Sequence, residues 1–574
     1  MQKIDYLCTN FRFLCKIIML EIPSFNQYIE QSITKNWDLD ALTDYKGATL
    51  QYKDVARKIE KLHILFENSG VEKGDKIALC GRNSAYWAVA FLATLTYGAV
   101  AVPIQHEFQP DQIYNIVNHS DSKLLFVGDV VATVINPEEM PKLEGIVYIP
   151  DYSLVISRTD KLTYAREHLN EMYGHKYPKY FRPEHVHYHV DTAEELALIN
   201  YTSGTTGFSK GVMLPYRALW SNMQFCIDKL GKYARRGENM LSMLPMAHMY
   251  GLAIEFILSF VSGCHLYFLT RLPSPAIIAQ AFQDVKPRLI VAVPLIIEKI
   301  IRKNVFPKVQ NNAMRLLLNM PVVNKKVKQN ILRQVVEAFG GKLEEVVVGG
   351  AALNQEVEHF LLNIGFPLTC GYGTTETAPL ISYCDYTDFE PASVGTPVDR
   401  MEVKILSKDP QHEPGEIVTR GTNKMVGYYK NDEATKKVID SEGWYHTGDL
   451  GLQGPRGHIY IKGRIKNMLL GANGQNVYPE EIEDKLNSMA LISESLVIQR
   501  EQKLIALIHP DYDEVRNMGF SDSDLEHIMK ENVATLNTQI PTFSKITNFE
   551  IRETEFEKTP KKSIKRYLYC EPTT

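Results

Sequence analysis

A loop rich in hydroxyl groups and glycine lies between two apolar runs in the segment 199–214, INYTSGTTGFSKGVML. The flanking apolar runs predict a strand, a loop and a second strand. Glycine permits backbone conformations that other residues avoid, so several N–H groups can converge on one anion. Hydroxyl groups and a lysine add further donors, which suits a polyphosphate. The residues expected to contact it are Thr202, Ser203, Gly204, Thr205, Thr206, Gly207 and Lys210.

This loop departs from the Walker A pattern. Counting from Gly204, Ser209 occupies the position of the second glycine. Gly211 then follows Lys210, where the Walker pattern needs Ser or Thr to bind magnesium. A P-loop kinase is therefore disfavoured. A flexible surface turn is the simplest alternative, and the density of hydroxyl groups before Lys-Gly argues against it.

Two further segments place unusual residues at the ends of predicted strands. The strand EEVVV ends in Gly349 and Gly350, which would let a substrate approach the backbone closely. The strand before GYGTTE ends near Tyr372, whose ring offers a flat face to a purine. Because ligands bind at the carboxyl ends of strands in α/β sheets, GGA and GYGTTE should meet at one cleft.

Two carboxylates and one arginine have the chemistry for a magnesium nucleotide. Glu376 is the only carboxylate in its loop, and Mg²⁺ prefers one or two carboxylates together with phosphate oxygens. Asp449 follows a Thr-Gly turn and can accept hydrogen bonds from ribose hydroxyls. Arg464 presents a fixed fork of donors to ribose or phosphate. The ordinary alternatives are a solvated glutamate and a turn before a strand.

These segments resemble, in their order, the signatures of the adenylate-forming enzymes, which include acyl-CoA synthetases, luciferases and peptide-synthetase adenylation domains. YTSGTTG resembles the phosphate-binding signature of that superfamily, and GYGTTE resembles its adenine and magnesium signature. YHTGD and GR-x-K also match in their expected places. The likeness covers essentially residues 23–569 and is greatest to bacterial long-chain fatty-acid–CoA ligases.

The resemblance assigns roles around the nucleotide. It implies that Tyr372 stacks on adenine, that Thr375 contacts the α-phosphate and that Glu376 holds the metal. Asp449 would bind both ribose hydroxyls. The remaining residues expected at the nucleotide are Gly350, Ala351, Gly373 and Arg464.

The resemblance also assigns the acid pocket and the hinge. A histidine placed like His248, after a strand and a proline turn, is usually structural, but the family uses this LP-x-x-H segment to line its carboxylate pocket. Gly349 and Gly350 would complete that pocket. Lys466 falls where the family has its interdomain hinge, and the glycines that follow it would face the pantetheine of CoA.

The tail departs from the family pattern. Related enzymes end in a T-P-x-x-K-[IL]-x-R-like segment whose lysine neutralises charge at the reacting carboxylate and α-phosphate, whereas this chain has TPKKSIKR. Alignment on Thr-Pro places Ser563 at the lysine position. Lys562 precedes it, and Lys565 lies two positions later on the same side of an extended strand, so we favour Lys565 slightly. If neither lysine reaches the site, adenylation should be slow, because one lost transition-state contact costs about 3–4 kcal/mol.

The elements around these segments predict an α/β fold. Helical and strand patterns alternate from residue 52 to 102, which implies a mostly parallel sheet covered on both faces. We expect a large N-terminal domain at residues 19–463, with mostly parallel sheets, flanking helices and a small antiparallel β subdomain. A small mobile α+β domain at residues 464–574 would carry the lysine tail. The segment 136–189 shows little pattern and is predicted to be irregular.

Composition limits the environment and the partners. The net charge of −5 gives no reason to expect a nucleic acid. Eight scattered cysteines without a C-x-x-C pair predict reduced thiols and a cytoplasmic location. Arg12 and Lys16 interrupt the apolar N-terminus, so we expect no signal peptide, and charged residues interrupt the apolar run 249–269. At most a peripheral membrane contact is expected, and a homodimer is left open.

The sequence thus predicts an AMP-forming acid–thiol ligase. It would convert a carboxylic acid, first of all a long-chain fatty acid, to acyl-AMP and then to a CoA thioester, with release of AMP and pyrophosphate. ATP, Mg²⁺ and CoA would be required, and the catalytic groups would be Thr202, Glu376 and a tail lysine. One alternative uses another acid or a carrier-protein acceptor. The other, suggested by Ser563, is a catalytically weak nucleotide-binding relative.

Overall fold

The fold is taken from a computed structural model of the chain. It describes residues 22–202, 209–270, 275–309, 321–470, 475–500, 503–558 and 564–570.

Strands occur along the whole of this described chain. Those before residue 375 are β1 (Asp40–Asp44), β2 (Thr49–Gln51), β3 (Lys76–Cys80), β4 (Val100–Ile104), β5 (Ser122–Val127), β6 (Gly145–Tyr148), β7 (Leu154–Ser157), β8 (Leu196–Thr202), β9 (Lys210–Pro215), β10 (Asn239–Ser242), β11 (His265–Phe268), β12 (Leu289–Ala292), β13 (Glu345–Val348), β14 (Leu368–Cys370) and β15 (Tyr372–Gly373). The later ones are β16 (Leu380–Tyr383), β17 (Thr396–Pro397), β18 (Met401–Leu406), β19 (Gly415–Gly421), β20 (Gly427–Tyr428), β21 (Tyr445–Gln453), β22 (Ile459–Arg464), β23 (Leu469–Leu470), β24 (Asn476–Val477), β25 (Ile492–Arg500), β26 (Lys503–Pro510) and β27 (Asn548–Ile551).

Helices connect and cover these strands. They are α1 (Phe25–Lys35), α2 (Tyr52–Ser69), α3 (Ala85–Tyr97), α4 (Pro110–Ser120), α5 (Asp129–Ala132), α6 (Asp160–Glu167), α7 (Leu169–Lys176), α8 (Tyr216–Leu230), α9 (Leu258–Val261), α10 (Pro275–Val285), α11 (Pro294–Ile300), α12 (Phe306–Val309), α13 (Pro321–Ala338), α14 (Gln355–Asn363), α15 (Asp432–Val438), α16 (Pro479–Asn487), α17 (Tyr512–Met518) and α18 (Asp522–Gln539). Two segments, Gly251–Ile257 and Ile301–Val305, are π-helical.

The largest sheet has eight strands in the order β20-β9-β8-β4-β3-β5-β6-β7. Its central strands pair in parallel, and the pairs β6–β7, β8–β9 and β9–β20 are antiparallel. The phosphate loop therefore leaves the sheet at the carboxyl end of β8 and returns along β9. The predicted strand, loop and strand around YTSGTTG are confirmed at their flanks.

Two smaller sheets carry further residues that the sequence analysis singled out. Strands β12, β13 and β14 run parallel, so the chain leaves all three at the same edge. Gly371 N–H donates to Val348 O at 2.9 Å, which brings the segments GGA and GYG together as the sequence predicts. The antiparallel sheet β18-β19-β21-β22 carries Asp449 and Arg464 on neighbouring strands.

Beyond residue 464 the chain forms a small α+β unit. Strands β25, β26 and β27 form its sheet, and α16 and α18 contribute apolar residues to its separate core. Helix α18 begins after Ser521, whose hydroxyl accepts from Asp524 N–H, while the Asp524 side chain accepts from Ser521 N–H. This reciprocal cap fixes the start of the helix. The predicted class, a large α/β part followed by a small α+β part, is confirmed.

The prediction for residues 136–189 is wrong. Strands β6 and β7 extend the main sheet there, and α6 and α7 follow, with Thr159 capping α6 by accepting from Leu162 N–H. Both strands have only four residues, which is too short for an alternating pattern to stand out from the sequence.

Two environmental observations complete the description. Within the described ranges, no helix combines the length and apolar character that a membrane crossing requires. The six cysteines described there are free thiols: Cys80, Cys226, Cys264, Cys370, Cys384 and Cys570.

Candidate functional site

A cavity of about 3230 Å³ lies between the large part and the small C-terminal unit. Its large-domain wall contains many of the residues singled out in the sequence, namely His248, Gly349, Gly350, Ala351, Tyr372, Gly373 and Thr375. The opposite wall comes from segments of the small unit, including 487–494 and 509–514. The cavity therefore opens at the carboxyl ends of β13 and β14. There Gly349 and Gly350 allow a ligand to approach the backbone.

The strands that flank the phosphate loop bring its two end residues together. Thr202 and Lys210 are directly opposite each other in the antiparallel pair β8–β9. The Lys210 ammonium lies 4.9 Å from the centroid of the Tyr428 ring. The predicted contacts of Ser203, Gly204, Thr205, Thr206 and Gly207 fall outside the described residues.

Glu376 lies in a 3₁₀ turn, Thr375–Thr377, between β15 and β16. Its carboxylate Oε1 accepts a hydrogen bond from the Tyr428 hydroxyl at 2.9 Å, and its backbone carbonyl accepts from Met425 N–H at 2.8 Å. Thr375 is buried within the same turn. The predicted metal ligand is thus fixed from both its backbone and its side chain.

Tyr428 is a site residue that the sequence interpretation did not identify. It lies on the edge strand β20, is 4% exposed, and its N–H donates to Thr435 Oγ1 at 2.9 Å. Burial, followed by the nearby Glu376 carboxylate, raises the pKa of its hydroxyl far above the ordinary range, so the group remains a donor. The segment GYYK was visible in the sequence, but its register against β9 was not.

Asp449 is held by donors on both oxygens. Tyr372 Oη donates to Oδ2 at 2.6 Å, and Arg464 Nε donates to Oδ1 at 2.5 Å. The arrangement follows from the register of β21 and β22, which places Asp449 opposite Arg464. Asp449 is 8% exposed, and its N–H donates to the Thr447 hydroxyl. A carboxylate has about four lone-pair sites, so two bonded donors leave capacity for the hydroxyls of a ribose.

The Tyr372 side chain lines the cavity and also packs against the interior of the large domain. Its ring packs against a small apolar cluster that contains Ile405, Ile417 and Ile459. Burial and then the charge of Asp449 raise the pKa of the Tyr372 hydroxyl well above its ordinary value. One edge of the ring is therefore anchored by Asp449, while the residue still borders the space expected for adenine.

The loop 243–248, which leads to His248, is held by buried polar groups. The Asn83 side chain binds two backbone groups of this loop: it donates to Leu244 O at 2.6 Å and accepts from Met246 N–H at 2.9 Å. Asn200 donates to Ala247 O at 3.0 Å. His248 Nδ1 accepts from Tyr250 N–H at 3.3 Å, so the histidine lines the cavity with a fixed ring nitrogen.

Glu255 supports the same loop from beneath and was not singled out as a site residue. It is fully buried in the π-helical segment and accepts hydrogen bonds from Ser242 Oγ at 3.1 Å and Leu244 N–H at 2.9 Å. Met243 N–H also donates to it. Burial raises the pKa of this carboxyl to about 8, although the three donors oppose the shift.

Gly349 and Gly350 have different reasons to be glycine. A Cβ atom at Gly349 would lie 3.1 Å from Cζ of Tyr250, so any side chain would press on that ring. Gly350 has a φ of +87°, a conformation that side chains disfavour. The Tyr250 hydroxyl donates to Val347 O at 3.0 Å, which ties the segment after His248 to the end of β13.

The predicted hinge and tail lie on the small-unit side. Lys466 is in the exposed turn Ile465–Asn467, directly after Arg464. Asn354 of the large part donates to Ser488 Oγ of the small unit at 2.8 Å, a direct polar contact across the junction. Lys565 Nζ lies 3.3 Å from Glu557 Oε2. Lys562 and Ser563 fall outside the described residues.

The donor set fits a metal that arrives with its ligand. In the part of the chain that the structure describes, no group of three or more His, Cys, Asp and Glu side chains could form a metal cage. Glu376, by contrast, is a single carboxylate in the same network as the phosphate-loop lysine. Mg²⁺ commonly takes one or two carboxylates and completes its shell with phosphate oxygens and water.

Comparisons with known proteins agree with this geometry. The model of the AMP-binding enzyme family matches residues 29–429, and that of the AMP-binding enzyme C-terminal domain matches residues 466–571. The chain is 27% identical to long chain acyl-CoA synthetase 6, peroxisomal, of Arabidopsis thaliana, over 83% of this chain and 70% of that protein.

Two further matches span nearly the whole chain. The long-chain-fatty-acid–CoA ligase FadD15 of Mycobacterium bovis is 26% identical over 90% of each chain. The crystal structure of the anthranilate CoA ligase AuaEII with anthranoyl-AMP superposes with a TM-score of 0.78 at 18% identity, covering 96% of this chain and 97% of the other. At that identity the structural likeness establishes the fold.

Proposed function

This chain belongs to the AMP-binding enzyme family, and we propose that within it the protein activates a long-chain fatty acid with ATP and transfers the acyl group to CoA. The acid carboxylate attacks the α-phosphorus of ATP, forming acyl-AMP and releasing pyrophosphate. The thiol of CoA then attacks the acyl carbon and releases AMP. A carboxylate is already a competent nucleophile, so the first step needs charge stabilisation and alignment more than a general base.

The observation that carries this proposal is a pair of polar networks in the large domain, beside the cavity that Tyr372 and Thr375 line. Asp449, with Tyr372 and Arg464, forms a prepared acceptor for ribose, and Glu376 is linked through Tyr428 to the phosphate-loop lysine. Thr202 and Lys210 would bind the phosphates from opposite strands. Glu376 would hold Mg²⁺ on those phosphates, where the ion supplies positive charge. Adenine would lie beside Tyr372 and the backbone of residues 349–351.

The acid would enter on the side of His248. Its carboxylate must reach the α-phosphate, so the acyl chain would extend past the loop 243–248 that Asn83 and Glu255 hold. The large cavity and the relatives named for long-chain acids support a fatty acid. The anthranilate ligase shows that proteins of this fold also act on aryl acids. An aryl or shorter acid, or a carrier-protein acceptor, is therefore the alternative.

The small unit would supply the remaining positive charge and the CoA site. A tail lysine, Lys565 or Lys562, would approach the reacting carboxylate during adenylation. Rotation about Lys466 would then withdraw it and admit the pantetheine thiol. The free thiols of the described cysteines are consistent with a reducing, cytoplasmic location.

Mass spectrometry of complete reactions tests this proposal. Purified protein is incubated with ATP, Mg²⁺ and carboxylates from acetate to oleate, with and without CoA. We expect acyl-CoA only when CoA is present, with the highest yield for long chains. Acyl-AMP that accumulates without reaching CoA would indicate another acceptor. A folded protein that binds ATP and forms no adenylate with any acid would be the catalytically weak relative that Ser563 suggests.

A further inference from the structure

The edge strand β20 places one aromatic side chain between the two charges that we assign to the metal and the phosphates. We propose that Tyr428 is a positioning residue that holds Lys210 and Glu376 apart, so that both are free to receive a magnesium nucleotide. The inference rests on the proposed function, since it adds the residue that organises its phosphate side.

The backbone explains why Tyr428 is fixed at this place. In the antiparallel pair β9–β20, Tyr428 is directly opposite Val212. Lys210 lies two residues before Val212, so its side chain emerges on the same face of β9 and is a diagonal neighbour of Tyr428. The N–H of Tyr428 also donates to Thr435 Oγ1 at 2.9 Å. Thus the strand that ends the phosphate loop also positions the ring.

The two charges contact different parts of that ring. The Lys210 ammonium lies 4.9 Å from its centroid, within the range of a cation–π contact. The hydroxyl group donates to Glu376 Oε1 at 2.9 Å. The Tyr428 side chain therefore contacts the cation with its π system and the anion with its hydroxyl. Lys210 and Glu376 each have Tyr428 as a partner and do not need to pair with each other.

Separation of these charges has a direct consequence for binding. Opposite charges that form a direct ion pair at a partly buried site attract each other strongly. A ligand must break such a pair before it can bind to either charge. With Tyr428 between them, the incoming phosphates meet an ammonium that has no carboxylate partner among the described residues, and the metal meets a carboxylate whose orientation is already set. The binding site is thereby preorganised for a ligand that carries both a metal and phosphate.

The adjacent Tyr429 provides a matched control. It occupies the other face of the same edge: its N–H donates to Gly211 O at 2.7 Å and its ring contacts His119 edge-on. Its hydroxyl donates to Asp121 Oδ2 at 3.4 Å, so it too joins a hydroxyl to a carboxylate. Replacing either tyrosine with phenylalanine removes one such bond next to the same strand, but only Tyr428 contacts the proposed phosphate and metal groups.

Calorimetric binding of nucleotide tests the proposal without relying on turnover. ATP is titrated into wild type, Tyr428→Phe, Tyr428→Leu and Tyr429→Phe, once with excess Mg²⁺ and once with EDTA. For Tyr428→Phe we expect about tenfold weaker binding of MgATP, the size of one lost hydrogen bond to a charged group, and a smaller loss for ATP in EDTA. Tyr428→Leu, which also removes the ring, should weaken both. Tyr429→Phe should bind like wild type.

Several results would overturn the proposal. They are wild-type affinity in Tyr428→Phe, equal losses in the two tyrosine-to-phenylalanine variants, and a loss for Tyr428→Phe that is the same with and without Mg²⁺. If Tyr428→Leu unfolds, the Tyr428→Phe comparison still decides the question. Weakened MgATP binding in Tyr428→Phe by a protein that makes no acyl-CoA would sustain this inference while the proposed function fails. Wild type that binds no MgATP would overturn both.

Discussion

The large domain and the small C-terminal unit satisfy their charged side chains in different ways. In the large domain, the acids Asp449 and Glu376 are held by donors of that same domain, two of them neutral tyrosine hydroxyls. On the small unit, the tail cations are held by glutamates of their own unit, with Lys565 near Glu557 and Arg566 bonded to Glu483. These acids are thus satisfied within the large domain, whereas under the proposed function Lys565 would have to leave Glu557 to reach the reacting carboxylate.

Exposure separates the tail pairs into two kinds. The Lys565 and Glu557 side chains are 32% and 66% exposed, so breaking their contact costs about 0–1 kcal/mol. The Arg566 and Glu483 side chains are only 17% and 11% exposed, and Arg566 also donates to Val497 O at 3.0 Å. Lys565 can therefore leave its partner at little cost, as the proposed domain rotation would require, while the adjacent Arg566 remains anchored to Glu483.

The largest effect should come from breaking that anchor. Arg566→Ala leaves the Glu483 carboxylate buried without its cation, and loss of one partner of a buried pair commonly costs about 3–5 kcal/mol. We expect the small unit to unfold at lower temperature while the large domain is unaffected. Calorimetry with limited proteolysis distinguishes the two units.

The exposed pair Arg516–Asp513 of the same small unit offers a matched control, since its side chains are 69% and 87% exposed. Arg516→Ala should change stability by less than about 1 kcal/mol. Equal effects of Arg566→Ala and Arg516→Ala would contradict the division of the tail pairs into anchors and exchangeable contacts.

The tail lysines should show the next largest effect, on rate. If Lys565 delivers the charge that the family takes from the Ser563 position, Lys565→Ala should slow adenylation by about 10²–10³-fold, with little effect on the reaction of supplied acyl-AMP with CoA. Pyrophosphate release and thioester formation are measured separately. The same loss in Lys562→Ala instead would identify the other lysine.

Lys561→Ala is the control for the tail lysines, because it removes a neighbouring cation at a position that neither alignment uses. If all three alanine variants adenylate at the wild-type rate, the tail does not provide the transition-state charge. Ser563→Lys should then leave the rate unchanged, whereas a large gain would indicate a site weakened by the serine.

The sequence predicted the fold class and the elements that carry the candidate site residues, because those signals are local. The strands flanking YTSGTTG and the helix 52–69, which ends at Gly70 with φ +85°, follow from periodicity and glycine. The contacts of Tyr428 and Glu255 depend on how distant segments align. Tyr428 reaches Glu376 only through the register of β20 against β9, and Glu255 reaches Leu244 through a π-helical turn. Neither relation leaves a pattern in a single sequence.

A third acid sharpens the comparison, because the donors to Glu255 are neutral: the Ser242 hydroxyl and the N–H groups of Met243 and Leu244. Burial raises its pKa to about 8 from 4.5, so the folded protein holds a proton that the unfolded chain releases above about pH 4.5. The stability contributed by that proton is full below pH 4.5 and is lost as the pH rises toward 8.

Glu255→Gln removes this titration while retaining a polar side chain of similar size. Between pH 6 and 8, the free energy of unfolding of wild type should fall relative to the variant by about 2 kcal/mol. Urea unfolding at several pH values measures the difference. Glu345→Gln is a control at another buried carboxyl, whose pKa is raised to about 7. Its contribution to the free energy of unfolding should therefore stop falling with pH at a lower pH than that of Glu255. Parallel curves for wild type and Glu255→Gln would show that Glu255 does not take up a proton on folding.

The smallest effect should come from the proposed ribose contact of Asp449 in the large domain. Asp449→Asn removes the charge that holds Arg464 and one acceptor for ribose, and we expect about tenfold weaker ATP binding. Comparison with 2′-deoxy-ATP assigns the loss: wild type should bind the deoxy nucleotide more weakly than ATP, and Asp449→Asn should discriminate less between them. Thr447→Ser, which keeps the hydroxyl that accepts from Asp449 N–H, is the control. If Asp449→Asn retains full discrimination, the 2′-hydroxyl is bound elsewhere, and the role of Asp449 is to hold Arg464 and Tyr372 in place.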